Sequence, residues 1–291
     1  MSASTSEGIA LITGSSQGIG KAIAIRLASD GFEIAINDIP AKSLTLEATQ
    51  KEIQELTGKR ALICVGDVSV EEEVKGMIEE VVKSLGGIDV MVANAGICPC
   101  GPLNDVTLDE WERAFAVNVR GTFLCYKYAS LQMIAQGRGG RLIGASSGGG
   151  KQGQRLMGLY SSTKFAIRGL TQSAALEYGK HGITVNAYCP GPIDTEMVRK
   201  AAQDVGGDTE KVLKMYAQMS AVGRIGNPAD VANLVSFLAS KHSEYLTGQT
   251  GSSKNDVESL LIVQLYNFNG YAMLMESRLR NPPTKLRLPS S

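Results

Sequence analysis

Tyr160 and Lys164 lie four residues apart in Gly158-Leu159-Tyr160-Ser161-Ser162-Thr163-Lys164, a spacing that sets a phenol and an ammonium side by side on one helix face. A free tyrosine ionises near pH 10, so acid–base work close to neutrality needs a shift of about 2 to 3 units, or roughly 3 to 4 kcal/mol. One positive charge about 4 Å away, at an effective dielectric near 20, is worth about that much. The lysine suffices in magnitude, and the pair reads as a proton-transfer device. Tyrosine and lysine also meet at this spacing on many solvated helix faces, so the reading depends on the company the pair keeps.

The first companion is Thr13-Gly14-Ser15-Ser16-Gln17-Gly18-Ile19-Gly20, which follows an apolar run and opens a helical pattern. Its backbone N–H groups and the positive helix end can face a pyrophosphate. Asp38 ends the second apolar run, where a carboxylate accepts hydrogen bonds from the adenosine ribose hydroxyls and repels a 2′-phosphate. No Arg or Lys occurs among Ser15, Ser16 and Gln17, and only Lys42 comes soon after Asp38. The pattern therefore favours NAD over NADP, and ribose binding is preferred for Asp38 over the plainer role of a helix cap or turn residue. Asp67, in Gly66-Asp67-Val68, closes the third run, and Asn94-Ala95-Gly96 closes the fourth.

These residues need elements to hold them. Short apolar runs at 9–12, 34–37, 61–65, 90–93, 141–145 and 183–187 alternate with helical patterns at 21–29, 44–56, 72–85, 108–136 and 160–179. Strands that read as continuous apolar runs are buried on both faces, as happens with helices on both sides of a parallel sheet. The expected fold is α/β, a doubly wound Rossmann-type parallel sheet in a single domain. With strand order 3-2-1-4-5-6, strands one and four adjoin at the switch point, and their ends line one crevice.

Composition narrows the function. The chain has 291 residues, 29 Lys and Arg against 29 Asp and Glu, and no basic segment before the far C-terminus, which points away from nucleic acid and anionic membranes. Five cysteines without a C-x-x-C pair, and an N-terminus lacking basic and apolar blocks, lead us to expect a reducing, cytoplasmic setting. Cys98-Pro99-Cys100 offers two thiolates, but zinc takes four ligands and the histidines, His181 and His242, are remote in sequence. No metal site is expected.

From about residue 8 to 250 the chain resembles the short-chain dehydrogenase/reductase family, through Thr13-Gly14-x-x-x-Gly18-Ile19-Gly20, Asn94-Ala95-Gly96, Ser147, Tyr160-x-x-x-Lys164 and Pro190-Gly191. The resemblance implies that Tyr160 exchanges a proton with the substrate oxygen, that Lys164 lowers its pKa and holds the nicotinamide ribose, and that Ser147 hydrogen-bonds the same oxygen. Ser146 competes for the last role, but the thirteen-residue step to Tyr160 matches the family spacing only for Ser147. It also implies that Asn118 anchors a water leading to the lysine, and that Pro190, Gly191, Ile193 and Thr195 hold the nicotinamide carboxamide. Gly14, Gln17, Gly18, Ile19, Gly20, Asp38, Asp67, Val68, Asn94, Ala95 and Gly96 complete the implied NAD contacts. Within the family, residues 17–24, 160–175 and 182–191 are similar to acetoin (diacetyl) reductases, or 2,3-butanediol dehydrogenases. A small carbonyl or alcohol substrate and a homo-oligomer, dimer or tetramer, are implied; polyol, sugar and 3-oxoacyl reductases are the alternatives. Gln152 and Gln154 could bind a vicinal oxygen or simply face solvent.

The resemblance breaks after Tyr245-Leu246-Thr247-Gly248-Gln249-Thr250, where the family continues with a seventh strand and stops. Residues 1–250 are expected to form the NAD-binding domain. Residues 251–291 form an atypical segment, with a replacement edge strand at 260–265 and then a disordered tail. Because this end borders the substrate pocket in relatives, a catalytically impaired NAD-binding protein is a further alternative.

Overall fold

A computed structural model describes residues 6–204, 208–220 and 222–252. The proposed edge strand at 260–265 and the tail lie outside these residues.

The first apolar run becomes β1 (Ile9–Thr13), buried throughout, and the glycine turn after it leads into α1 (Gly18–Ser29). The pattern repeats through β2 (Glu33–Asp38), α2 (Ser43–Thr57), β3 (Leu62–Val65), α3 (Glu71–Leu85) and β4 (Val90–Ala93). Beyond the switch come α4 (Leu108–Phe115), α5 (Gly121–Gln136), β5 (Gly140–Ala145), α6 (Gly158–Tyr178) and β6 (Ile183–Cys189). The described chain closes with α7 (Glu196–Asp204), α8 (Thr209–Met219), α9 (Pro228–Ala239) and β7 (Thr250–Ser252). The strands form one sheet in the order β3-β2-β1-β4-β5-β6-β7, and every pairing is parallel.

Alternation along each strand divides the core between the two faces of the sheet. Ala10 and Ile12 of β1 and Ile34 and Ile36 of β2 pack with Ile23 and Leu27 of α1, Leu46 of α2 and Val231 and Val235 of α9. Leu11, Ala35 and Met91 face the other way, against Val74, Ile78 and Val81 of α3 and Leu124 and Met133 of α5. Each of the Val, Leu, Ile and Met side chains among these contributes about 1.5–3 kcal/mol when fully buried. Truncation of Leu11 or Ile12, both without exposed surface, would cost about 2–5 kcal/mol. The layers hold the strand ends rigid, and those ends carry the site.

Two details differ from the sequence reading. The pattern at 108–136 is not one regular helix: α4 and α5 are separated by a π-helical turn over Ala116–Arg120. Its wider turn leaves Asn118 fully buried, with its side chain turned to Ile97 and Thr163. A sequence pattern of period 3.6 cannot register one extra residue per turn. At the C-terminal edge, β7 pairs Thr250, Gly251 and Ser252 with Ala187, Tyr188 and Cys189, so the sheet takes in two residues beyond the boundary expected at 250.

Candidate active site

Strand order reverses between β1 and β4, and Asn94 joins what meets there. Its Nδ2 donates to Thr13 O at 2.8 Å and Gly14 O at 3.0 Å, and its Oδ1 accepts from Tyr188 of β6 at 2.7 Å. Thr13 Oγ1 accepts from the N–H groups of Asn94 and Ala95. Gly14 adopts φ +63°, and a Cβ there would stand 2.8 Å from Ala95 Cα. A Cβ on Gly20 would press on the Gly14 carbonyl and the Asn94 amide. Only glycine lets the turn lie this close to β4.

This turn leads to a cleft of about 460 Å³. Of the expected cofactor residues it is lined by Gly14, Gln17, Gly18, Ile19 and Gly20 on the turn and by Asp38, Asp67, Val68, Asn94, Ala95 and Gly96 at the ends of β2, β3 and β4. Tyr160, Lys164, Pro190 and Thr195 close its far end. The start of α1 has no side-chain cap and no acidic residue in its first turn, which leaves the positive helix end open to an anion. Asp38 Oδ2 accepts from Ser16 Oγ at 2.6 Å, which fixes the carboxylate over the turn. Asp67 caps its own turn by accepting from Ser69 N at 2.8 Å. The uncapped helix end, a cradle too tight for a Cβ and a carboxylate at the end of β2 fit the diphosphate and ribose of a nicotinamide dinucleotide.

A second cavity, of about 690 Å³, opens on the other side of Tyr160. Ser147, Gly191 and Ile193 line it, and Gln152 and Gln154 stand at its exposed rim. Tyr160 and Pro190 border both cavities. The two neighbouring serines are distinguished here. Ser146 is buried and donates to Lys164 O at 2.9 Å, whereas Ser147 faces the second cavity alongside Tyr160, its Oγ accepting from Gly149 N at 3.0 Å.

Helix α6 places Tyr160 and Lys164 on its buried face. Lys164 Nζ lies 5.5 Å from the Tyr160 ring centroid and donates to Ala145 O at 2.7 Å. Gly96 lies against both Asn118 and Lys164: a Cβ there would be 3.1 Å from Asn118 Oδ1 and 3.4 Å from Lys164 Nζ. Asn118 Nδ2 donates to Ile97 O at 2.9 Å and Thr163 Oγ1 at 3.0 Å, which ties the π turn to α6 one residue before the lysine.

Spacing accounts for the lysine's pull on the phenol but not for burial, which is the largest influence here: it raises the Tyr160 pKa, the nearby Cys98 adds to the rise, and the Ser147 hydroxyl opposes it. Burial also lowers Lys164 from 10.5 to about 8. Both groups are desolvated, with only 9% and 3% of their surface exposed, and that cost falls on the charged form of each.

Sequence reasoning passed over four contributors. Ser16 holds Asp38, and its place inside the glycine turn was a usable signal. Tyr188 bonds Asn94 and lines the dinucleotide cleft; an aromatic at the end of a buried strand was a weak one. Lys42 was noted only as a nearby base, yet its Nζ donates to Gln17 Oε1 at 2.9 Å at the cleft wall. Tyr216 of α8 reaches the second cavity, and nothing in the sequence marked it.

A seven-stranded parallel sheet of this order, with a glycine turn at the switch point, defines a Rossmann-type dinucleotide-binding protein. The family model described as enoyl-(acyl carrier protein) reductase matches residues 14–252. The chain is 51% identical over 250 residues to a short-chain dehydrogenase/reductase of Armillaria gallica, covering 86% of this chain and 95% of that one. It is 42% identical over 246 residues to a diacetyl reductase [(S)-acetoin forming] of Staphylococcus epidermidis, covering 83% and 95%. Among solved structures, levodione reductase superimposes with a TM-score of 0.82 at 30% identity, covering 86% of this chain and 96% of that one. The chain belongs to the short-chain dehydrogenase/reductase family. It is accordingly an oxidoreductase for small molecules, and the family implies a nicotinamide dinucleotide, NAD or NADP. Among the described residues, no helix is long and apolar enough to cross a membrane.

Proposed function

We propose that the protein is an NAD-dependent oxidoreductase that reversibly reduces a small ketone or dicarbonyl, of the acetoin or diacetyl type, to a secondary alcohol. One observation carries this reading: Tyr160 is shared by the cleft that fits a dinucleotide and the cavity beyond it. The nicotinamide supplies the hydride donor or acceptor and, when oxidised, a positive charge. Tyr160, Ser147, Lys164 and Asn118 form the catalytic set. A phenol whose pKa is raised keeps its proton and can donate it to the substrate oxygen, while Ser147 offers that oxygen a second hydrogen bond. In oxidation the phenol has to give up that proton to solvent, and the Lys164 ammonium behind it stabilises the resulting charge. Asn118 positions the helix turn that carries Lys164.

Pro190, Gly191, Ile193 and Thr195 are assigned to the nicotinamide end, and residues from Gly14 to Gly96 to the adenosine and diphosphate. Asp38 supports NAD. Similarity to the staphylococcal diacetyl reductase supports the four-carbon substrate. The second cavity supports another reading: about 690 Å³ falls in the range of about 300–1,000 Å³ that takes drug-sized ligands, and Met157, Tyr216 and Val222 give it apolar wall. A bulkier ketone would fill that space. Initial rates with diacetyl, acetoin and 2,3-butanediol, against a bulkier ketone, a sugar and a 3-oxoacyl thioester, each with NADH and NADPH, test both readings. Turnover of the bulkier ketone without turnover of any four-carbon compound would overturn the first.

We further propose a dimer or tetramer built on α5 and α6. Phe123 and Leu131 on α5 and Phe165 and Leu176 on α6 are large apolar side chains left exposed on one protomer. A monomeric mass by light scattering would exclude it. None of the five cysteines is disulfide-bonded, which supports a reducing, cytoplasmic location.

A further inference from the structure

Two thiols that the proposed reaction does not use stand beside its acid. Cys98 Sγ and Cys100 Sγ are 3.7 Å apart across Pro99. Cys98 lines the same cavity as Tyr160 and Ser147, and both cysteines are partly exposed, unlike buried Cys64, Cys125 and Cys189. The short segment that carries them has no regular secondary structure, but it is fastened at each end. Before it, Ile97 N donates to Asn118 Oδ1 at 2.8 Å, and Asn118 in turn bonds Thr163 of α6. After it, Gly101 N donates to Leu156 O at 2.8 Å. Leu156, a non-glycine residue, is held at positive φ, 63°, two residues ahead of α6. The dithiol is therefore suspended between two tethers to the helix that bears Tyr160 and Lys164.

We propose that Cys98 and Cys100 form an oxidisable pair, which a hydroperoxide converts to an intramolecular disulfide, reversibly impairing the proton-donor site. This proposal rests on the catalytic reading of Tyr160 only for its effect on activity; disulfide formation itself stands independently. The Cys100 thiolate attacks one peroxide oxygen, the O–O bond breaks, and hydroxide leaves to give a sulfenic acid. Cys98 sulfur then attacks Cys100 sulfur, the S–O bond breaks, and a second hydroxide leaves as water. The two sulfurs together lose two electrons, the two peroxide oxygens gain them, and the two thiol protons leave in the two waters. Cys100 is the better nucleophile, because hydrogen bonding from Cys98 lowers its pKa while Cys98 is itself raised. Bond formation has to bring the sulfurs from 3.7 Å to about 2.05 Å. That contraction pulls on Ile97 and Gly101 and withdraws the Cys98 thiol from the cavity wall beside Tyr160.

The test treats the NAD(H)-loaded protein with hydrogen peroxide and follows reductase activity together with the mass of the peptide containing residues 98–100. The expected result is loss of two hydrogens from that peptide, in step with an activity loss of roughly tenfold or more, since displacing a reacting group by about 1 Å can cost about 100-fold. Dithiothreitol should restore both. Cys100→Ser, which does not touch the cavity, should keep the untreated activity and lose the dithiothreitol-reversible component. Absence of the oxidised peptide at peroxide levels that inactivate the enzyme would overturn the proposal whatever the variant does. Oxidised peptide with unchanged activity would overturn the link to Tyr160 while leaving the reading of Tyr160 to the substrate assays.

Discussion

The two cavities that meet at Tyr160 are built in opposite ways. The dinucleotide cleft is made of strand ends whose polar side chains are committed to one another: Asn94 to β1 and Tyr188, Asp38 to Ser16, and Asn37 to the carbonyls of Cys64 and Gly66. The substrate cavity is made of loops after β5 and β6, with Gln152, Gln154 and Arg155 exposed at its rim. Preorganised backbone serves a ligand common to a whole family, and loops leave room for a substrate that differs among members.

Tyr160 belongs to both sides, and removing its hydroxyl gives the largest effect. Tyr160→Phe is expected to lower turnover by about 10²- to 10⁴-fold, the usual worth of a positioned acid–base group. Dinucleotide affinity should change little, because the cleft's hydrogen-bonded frame does not include the phenol. Steady-state rates and fluorescence titration with NADH check the two halves. A loss of cofactor binding equal to the loss of turnover would mean that the cavities are not separable at this residue.

Asn94→Ala strikes only the dinucleotide side. It removes three hydrogen bonds, two donated to the carbonyls of Thr13 and Gly14 and one accepted from Tyr188, and it leaves the buried Tyr188 hydroxyl without its partner. An unsatisfied buried group costs about 1–3 kcal/mol, so thermal unfolding should move down by several degrees. Gln154→Ala at the exposed rim should leave the melting temperature unchanged and alter only substrate KM. Equal destabilisation by both would erase the contrast.

Proton traffic refines it. Lys164 is lowered to about 8 by burial, so reduction should be fastest below that pH and decline as the ammonium is lost above it. In stability terms the unfolded chain binds the extra proton between about 8 and 10.5, so Lys164 penalises the fold fully below 8, and the penalty is relieved as pH rises through this window. Activity and stability should therefore diverge with opposite slopes from about pH 8 upward, measured by initial rates and by urea melts. Parallel slopes would show that another group governs the profile.

The same division explains what the chain disclosed in advance. Apolar runs, glycines and the acid after β2 are local features with a fixed physical purpose, so the parallel sheet and the positions of Gly14, Asp38 and Asn94 at strand ends could be read from spacing, and the strand order followed from the fold class. Tyr160 and Lys164 could be placed on one helix face, but the sign of the phenol's shift could not, because desolvation depends on residues distant in sequence, such as Cys98. The π turn at Asn118 escaped because it adds a residue without changing the hydrophobic pattern. Tyr216 and Met157 entered the cavity wall through tertiary folding alone.

Lys42 supplies the smallest effect and the finest distinction within the dinucleotide side. Asp38 and Lys42 both line the adenosine end of the cleft, one repelling a 2′-phosphate and the other able to attract it, with Lys42 held near the turn through Gln17. If Asp38 sets the preference, Asp38→Ala should raise kcat/KM with NADPH relative to NADH by about tenfold, equivalent to about 1.4 kcal/mol. Lys42→Ala should lower it a few-fold in the opposite direction, the smaller figure reflecting a flexible and solvated ammonium. The double variant should then fall between the two. A larger effect from Lys42 than from Asp38 would reverse the cofactor assignment, because it would mean that the cleft is tuned to hold a phosphate and not to exclude one.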